Sequence, residues 1–299
     1  MLGAALTVHL ARLGSLIGLS RGVVNPHGHP AVPTETIQHD IGDPGVVEKI
    51  VDHRPDFAVH AAAMTDVDGC EEKPQEAFRI NAEGAGYVAQ ACRVLKIPLM
   101  AVSTDYVFDG KLSRPYRETD PVAPLSIYGQ SKRAGEEAIM AAAPDWMIVR
   151  SGWIYGPGGR NFIDSILGRA QKGETLRVVN DQFGSPTYTE DLAQAMAQLL
   201  MAWKRSGFSD QTAGLYHVAN GFGCSRWELA VKAVHLAGFA GAQVVPVASE
   251  EVTRPARRPR NSQLDTSRFA AWVGQPLRSW EAALSAYIES SWRKLTCVS

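Results

Sequence analysis

The feature that most constrains this chain is the alternation of short apolar runs with stretches of helical period. SLIGLS (15–20), TIQHD (36–40), DFAVHAAA (56–63), PLMAVSTDYVF (98–108) and WMIVRSGWIYG (146–156) have strand length and strand composition. Between them, DPGVVEKIVDHR (43–54), QEAFRINAEGAGYVAQACRVLK (75–96) and SIYGQSKRAGEEAIMAA (126–142) carry helical patterning, the first opening on Asp43 and Pro44 as cap and first-turn residues. Nearly continuous apolar strands separated by helices predict a parallel sheet covered on both faces. Beyond Gly156 the alternation loosens into helices, short strands and an arginine-rich loop at 253–261. The expected fold is therefore α/β, with a doubly wound parallel sheet over residues 1–156 and a smaller lobe formed mainly by 157–299, some of whose segments return to the core.

The beginning of the chain departs from that pattern. A doubly wound, Rossmann-like nucleotide fold opens on a central strand and a glycine-rich turn whose amides face a pyrophosphate at a helix N-terminus. Here Gly3 suits the last glycine of such a turn, packing the first helix closely on the sheet, and a strand follows the helix. The expected sheet thus lacks its first strand, and about ten residues of such a fold are expected to precede Met1. Residues 1–156 then read as an N-terminally truncated dinucleotide-binding domain.

Composition excludes several classes. A net charge of −1 over 299 residues gives no field for nucleic acid or an anionic membrane surface, and no window has the apolar length of a membrane span. Cys70, Cys92, Cys224 and Cys297 are widely spaced, which predicts free thiols in a reducing cytoplasm rather than zinc ligands or a disulfide framework.

Reactive side chains of a doubly wound sheet collect at the carboxyl ends of strands, where Ser103, Thr104 and Asp105 lie. Tyr128 and Lys132 follow on the next helix, four positions apart and so on one face. With a nicotinamide in the crevice, Tyr128 would donate a proton to a substrate oxygen, Lys132 would ease its release and reach a cofactor ribose, and Thr104 would hold the carbonyl. The competing reading leaves Tyr128 and Lys132 on an exposed helix face and Thr104 as a strand-end cap.

HAAAMTDVD, STDYVFDG, YGQSK, RSGWIYG, NDQFGSPT and RPRNSQLDTSRF together resemble the extended short-chain dehydrogenase/reductases, from Gly3 to the final helix. The likeness is to their nucleotide-sugar ketone reductases, and implies NADPH- or NADH-dependent reduction of the 4-keto group of dTDP-6-deoxy-L-lyxo-4-hexulose to dTDP-L-rhamnose. By motif, Tyr128 is the catalytic acid, Lys132 its partner, and Thr104 and Asp105 face the sugar. Asp40 and Ile41 match residues flanking the adenine, Ala61, Ala62 and Ala63 the segment beneath the dinucleotide, and Ser103 a further cofactor contact. Arg21 could pair with a 2′-phosphate, which favours NADPH, or be a solvated strand-end charge. Met64, Thr65, Val67 and Trp153 are expected on the substrate side, with Arg258 and Arg260 as pyrophosphate donors. His60 stands where similar sequences often have Asn, and a buried structural role is expected for it. Glu190 is the one match to the Mg2+-binding glutamates of some relatives; the first helix has Ala4 and Ala5 in place of Glu, so no metal is predicted. The partner is a small nucleotide sugar, and the resemblance leaves room for a homodimer. Dehydratases of this fold place a Glu after the strand-end Asp, whereas Tyr106 follows Asp105 here, which favours plain reduction. Epimerases and a non-catalytic subunit, like the beta subunit of methionine adenosyltransferase, are the alternatives.

Overall fold

The apolar runs become strands only where a neighbour completes their hydrogen bonds. The computed structural model describes residues 1–22, 35–208 and 213–292; most of the loop between the first two strands, and Cys297, lie outside them. The chain opens with helix α1 (Leu2–Leu10), strands β1 (Ile17–Ser20) and β2 (Glu35–Gln38), helix α2 (Val46–His53) and strand β3 (Ala58–His60). Helices α3 (Val67–Glu72), α4 (Pro74–Phe78) and α5 (Gly84–Leu95) precede β4 (Leu99–Thr104), α6 (Ile127–Ala142) and β5 (Trp146–Ser151). Next come β6 (Ile154–Tyr155), α7 (Phe162–Gln171), β7 (Leu176–Val179), β8 (Phe183–Gly184), β9 (Thr187–Tyr188) and α8 (Thr189–Arg205). The chain continues through β10 (Gly214–His217), β11 (Cys224–Ser225), α9 (Arg226–Leu236), β12 (Val244–Val247), α10 (Ser267–Val273) and α11 (Trp280–Tyr287).

The main sheet is parallel, in the order β10-β5-β4-β3. β1 and β2 pair in parallel as a separate two-stranded sheet, so among the described residues no strand bonds β1 to β3. This agrees with an α/β sheet lacking its first strand. Ile17 in β1 is accordingly 39% exposed, against complete burial of Leu99 and Met100 in β4. Gly3 corrects an expectation: it is exposed, and a Cβ there would meet nothing within 4 Å. The close helix-to-sheet approach that would require glycine is absent at this position. Helix α1 instead lays Ala5 and Leu6 into a cluster with Met100, Met147, Leu192 and Met196.

Two expected elements are divided. The 75–96 helix is interrupted by a π turn over Arg79–Glu83, and the 146–156 strand breaks at Trp153, which has φ 46°. A second core joins α7, α9 and α11 around Tyr155, Ile163, Leu176, Leu229 and Leu284. β10 returns to the main sheet as its edge strand, and α8 packs onto that sheet, with Leu199, Trp203 and Tyr216 in one core. Cys70, Cys92 and Cys224 are free and buried. No helix among the described residues is long and apolar enough to cross a membrane.

Candidate active site

Strand β4 ends at Thr104, and the chain turns there because the Thr104 hydroxyl accepts from the Tyr106 N–H at 3.1 Å. Asp105 follows, 2% exposed, with its carboxylate accepting from Ser262 Oγ at 2.5 Å and from Thr104 Oγ1 at 3.1 Å. Burial raises the Asp105 carboxyl to about 6, against the opposing hydrogen bonds from Ser262 and Thr104 and the charge of Arg226.

Helix α6 begins at Ser126, whose hydroxyl caps the Gly129 N–H, while Glu71 accepts from the Ile127 N–H at 2.8 Å. Gly129 is required here: a Cβ would lie 2.3 Å from the Tyr106 carbonyl oxygen. Its absence lets the first turn of α6 close onto the end of β4 and brings Tyr128 to Thr104. The Tyr128 ring meets Tyr106 edge-on at 5.9 Å. By surface area Tyr128 is half-buried, yet its phenol is hemmed in enough that burial raises its pKa well above the ordinary value, with a hydrogen bond to Thr104 opposing the rise. The expected lowering by Lys132 is therefore not what governs the phenol in this state. Lys132, 7% exposed, donates from Nζ to the Val102 carbonyl at 2.8 Å. Burial lowers its ammonium to about 8, with Glu136 opposing.

Behind the pair, Arg150 of β5 makes a two-pronged bridge to Glu136 at 2.8 and 2.7 Å, both side chains buried, and Arg133 adds a contact at 3.0 Å. Burial pushes the Glu136 carboxyl up, but the Arg150 bonds and charge outweigh it and leave it below its ordinary value. The buried side chains thus hold their charges in fixed positions beneath the reactive face.

Other residues expected to meet a cofactor follow β2 and β3. Asp40 accepts from the Gly42 N–H at 2.9 Å, which is the main reason its carboxyl stays low, and Arg79 bridges it at 3.0 Å. Arg21 lies close enough to lower Asp40 further, although its side chain is exposed. Ile41 packs beside the α5 core. Ala61, Ala62 and Ala63 leave β3 with no side chain beyond Cβ, and Ala62 is exposed. The first turn of α1 has no side-chain cap, and the N-terminal amides of a helix are donors of the kind a dinucleotide pyrophosphate accepts. These donors and the bare β3 end fit a dinucleotide.

Of the residues expected to face the substrate, Met64 is tied to Asn81, whose side chain accepts from the Met64 N–H at 2.8 Å and donates to its carbonyl at 3.1 Å. Thr65 is exposed and Val67 begins α3. Trp153 carries the Arg226 guanidinium 3.6 Å over its ring. Arg226 also reaches Tyr106 and feels Arg258 and Asp105, and burial lowers its pKa. Arg258 is bridged to Asp68 at 2.8 Å. Arg254 faces the same cluster, whereas Arg260 is exposed and lies beside Asp181. Glu190 bonds His9 at 2.7 Å.

Sequence reasoning missed Arg226, Asn81 and Ser262. Arg226 lay within an unremarkable helix start, and only its stacking on Trp153 marks it. Asn81 carried one available signal, a short polar residue inside a helical pattern, which the π turn explains by swinging it inward to bond Ser131 at 3.0 Å.

A family model described as the RmlD substrate binding domain matches residues 1–292. The chain is 41% identical to a dTDP-4-dehydrorhamnose reductase of Streptomyces griseus over 288 residues, covering 95% of this chain and 89% of that one. Among solved structures, a dTDP-4-dehydrorhamnose reductase of Clostridium acetobutylicum superposes with a TM-score of 0.79 at 32% identity, covering 91% of this chain and 98% of that one. The same enzyme of Bacillus anthracis, in complex with NADP, gives 0.77 at 31% identity, covering 93% and 100%.

Proposed function

We propose that this chain, which belongs to the RmlD substrate-binding-domain family, is a dTDP-4-dehydrorhamnose reductase that converts dTDP-6-deoxy-L-lyxo-4-hexulose to dTDP-L-rhamnose with NADPH or NADH. The observation that carries this reading is the meeting of Thr104, Tyr128 and Lys132 at the carboxyl end of β4, next to the arginine and Trp153 cluster. NADPH is favoured by Arg21 beside Asp40 and by the NADP held in the Bacillus anthracis relative.

The nicotinamide, when bound, supplies the hydride to C4 of the sugar. The chain supplies the rest. Thr104 orients the C4 carbonyl oxygen, and Tyr128 gives that oxygen its phenolic proton as negative charge develops there. A phenol raised by burial keeps its proton until an acceptor of growing negative charge is in place, which suits a donor. Lys132, one helical turn on, supplies the positive charge that opposes the phenolate left behind and a donor for a ribose hydroxyl. Asp105 and Met64, Thr65 and Val67 face the sugar, Trp153 the sugar or base, and Arg226 and Arg258 the pyrophosphate, with Arg260 at the margin. Asp40, Ile41, Ala61, Ala62, Ala63 and Ser103 line the dinucleotide.

In this reading residues 1–156 hold the cofactor and 157–299 mainly shape the substrate side. Free buried thiols support a cytoplasmic setting, and the family likeness leaves room for a homodimer, which light scattering on the purified chain tests. Tyr106 stands where a dehydratase would need a carboxylic acid, which favours reduction over dehydration. The assay is NADPH oxidation with the 4-keto nucleotide sugar; cofactor binding without turnover would point to a binding subunit instead. Tyr128→Phe is expected to lower kcat about 100-fold or more while leaving cofactor affinity nearly unchanged, because it removes the proton but not the surface. Equal losses in both constants would count against the assignment.

A further inference from the structure

Between β3, β4 and β5 and the helices α5 and α6 lies a cavity of about 10 Å3, bounded by His60, Ser103, Lys132 and Glu136 with apolar walls from Ala101 and Ile148. Three polar groups there have unused hydrogen-bonding capacity. His60 is 5% exposed and its Nε2 has no partner. Ser103 Oγ is near enough to Glu136 to lower that carboxyl but lies outside hydrogen-bond geometry, so it too has no partner. Lys132 Nζ has three N–H donors, and one of them is directed to the Val102 carbonyl.

We infer that this cavity binds one structural water that links Lys132 Nζ to His60 Nε2 and Ser103 Oγ, making His60 a positioning residue for the Lys132 ammonium. The volume matches a single water, which needs about 10 to 15 Å3 and two to four polar partners. Lys132 donates to the water, and the water donates to the His60 Nε2 lone pair and to Ser103 Oγ. His60 is suited to accept because it stays neutral: burial and then the charge of Lys132 drive its imidazole down to about 3. The charged and titratable groups facing Lys132 are few. Glu136 lies on its own helix and is neutralised by Arg150 from β5 and Arg133, Tyr128 is one turn back, and His60 comes from β3. With Glu136 already claimed, the water chain to His60 joins the Val102 carbonyl as an acceptor that holds the ammonium in its charged form and fixes its direction.

The acceptor lies on the charged side of the Lys132 equilibrium, so losing it lowers the Lys132 pKa. In His60→Leu the 13Cε resonance of Lys132 is expected to titrate about half a unit to one unit lower than in the parent chain. His60→Asn, which restores an acceptor oxygen, is expected to return it to the parent value. The alkaline fall of kcat/KM moves with it. The catalytic consequence rests on the reductase reading, but the Lys132 titration does not, so inactivity with the sugar nucleotide and a failure of this inference are told apart. Superimposable Lys132 titrations in the parent and His60→Leu would overturn the inference. So would a high-resolution crystal structure of the parent holoenzyme with no solvent density in this cavity, which decides the matter even if His60→Leu does not fold.

Discussion

Tyr128, Lys132 and Asp105 are each displaced from ordinary behaviour chiefly by burial, and each displacement has a measurable sign. Asp105 is the clearest for stability. Its folded carboxyl is raised from 3.8 to about 6, so the folded state binds more protons than the unfolded one between those values. Its contribution is favourable at low pH and is lost as pH rises through about 6, leaving a penalty at neutral pH. Asp105→Asn is expected to gain up to about 3 kcal/mol at pH 7.5 by urea unfolding, from roughly two pK units of differential ionisation. That gain shrinks toward zero below about pH 3, where the carboxyl is protonated in both states. A gain that does not change with pH would mean that burial does not govern this carboxyl. Activity is expected to fall in the same variant, since the group faces the sugar in the proposed reaction.

Helix α6 is the element on which the proposed site depends, and it closes on the turn after β4 and on the π turn before α5 through two residues without side chains. Gly129 lies under the Tyr106 carbonyl, and Gly135 meets the Asn81 carbonyl, where a Cβ would be 2.2 Å from that oxygen. Gly129→Ala must push the first turn of α6 outward, carrying Tyr128 away from Thr104. Because misplacement of a reacting group by about 1 Å can cost on the order of 100-fold, kcat is expected to fall 10- to 100-fold. KM for the cofactor should change little, since Asp40 and the β3 end lie elsewhere; an unaltered kcat would show that α6 can yield without moving the phenol. The π turn before α5 is a second device of this kind. It places Asn81 between the Met64 backbone and Ser131, coupling the proposed sugar-facing segment to the helix that carries Tyr128.

Across the molecule, stability is unevenly distributed. β4 and β5 are buried within a four-stranded parallel sheet, whereas β1 and β2 form a two-stranded pair with an exposed pattern. Two strands alone are marginal in water. Amides of β1 are therefore expected to exchange with deuterium orders of magnitude faster than those of β4 and β5, and comparable protection would show that the pair is held by more than its own ladder. The alternation of apolar and amphipathic segments was enough to specify a parallel α/β sheet and to put Thr104 at a strand end with Tyr128 and Lys132 on the following helix, because strand and helix periods are local properties of the chain. The break at Trp153, the π turn at Asn81 and the stacking of Arg226 on Trp153 were not legible, since each depends on what another segment, distant in sequence, places alongside. The same holds for the protonation of the site. The sequence supplies a phenol and an ammonium one turn apart, but whether the cation lowers the phenol or burial raises it is decided by desolvation, which exists only once the surrounding elements have packed.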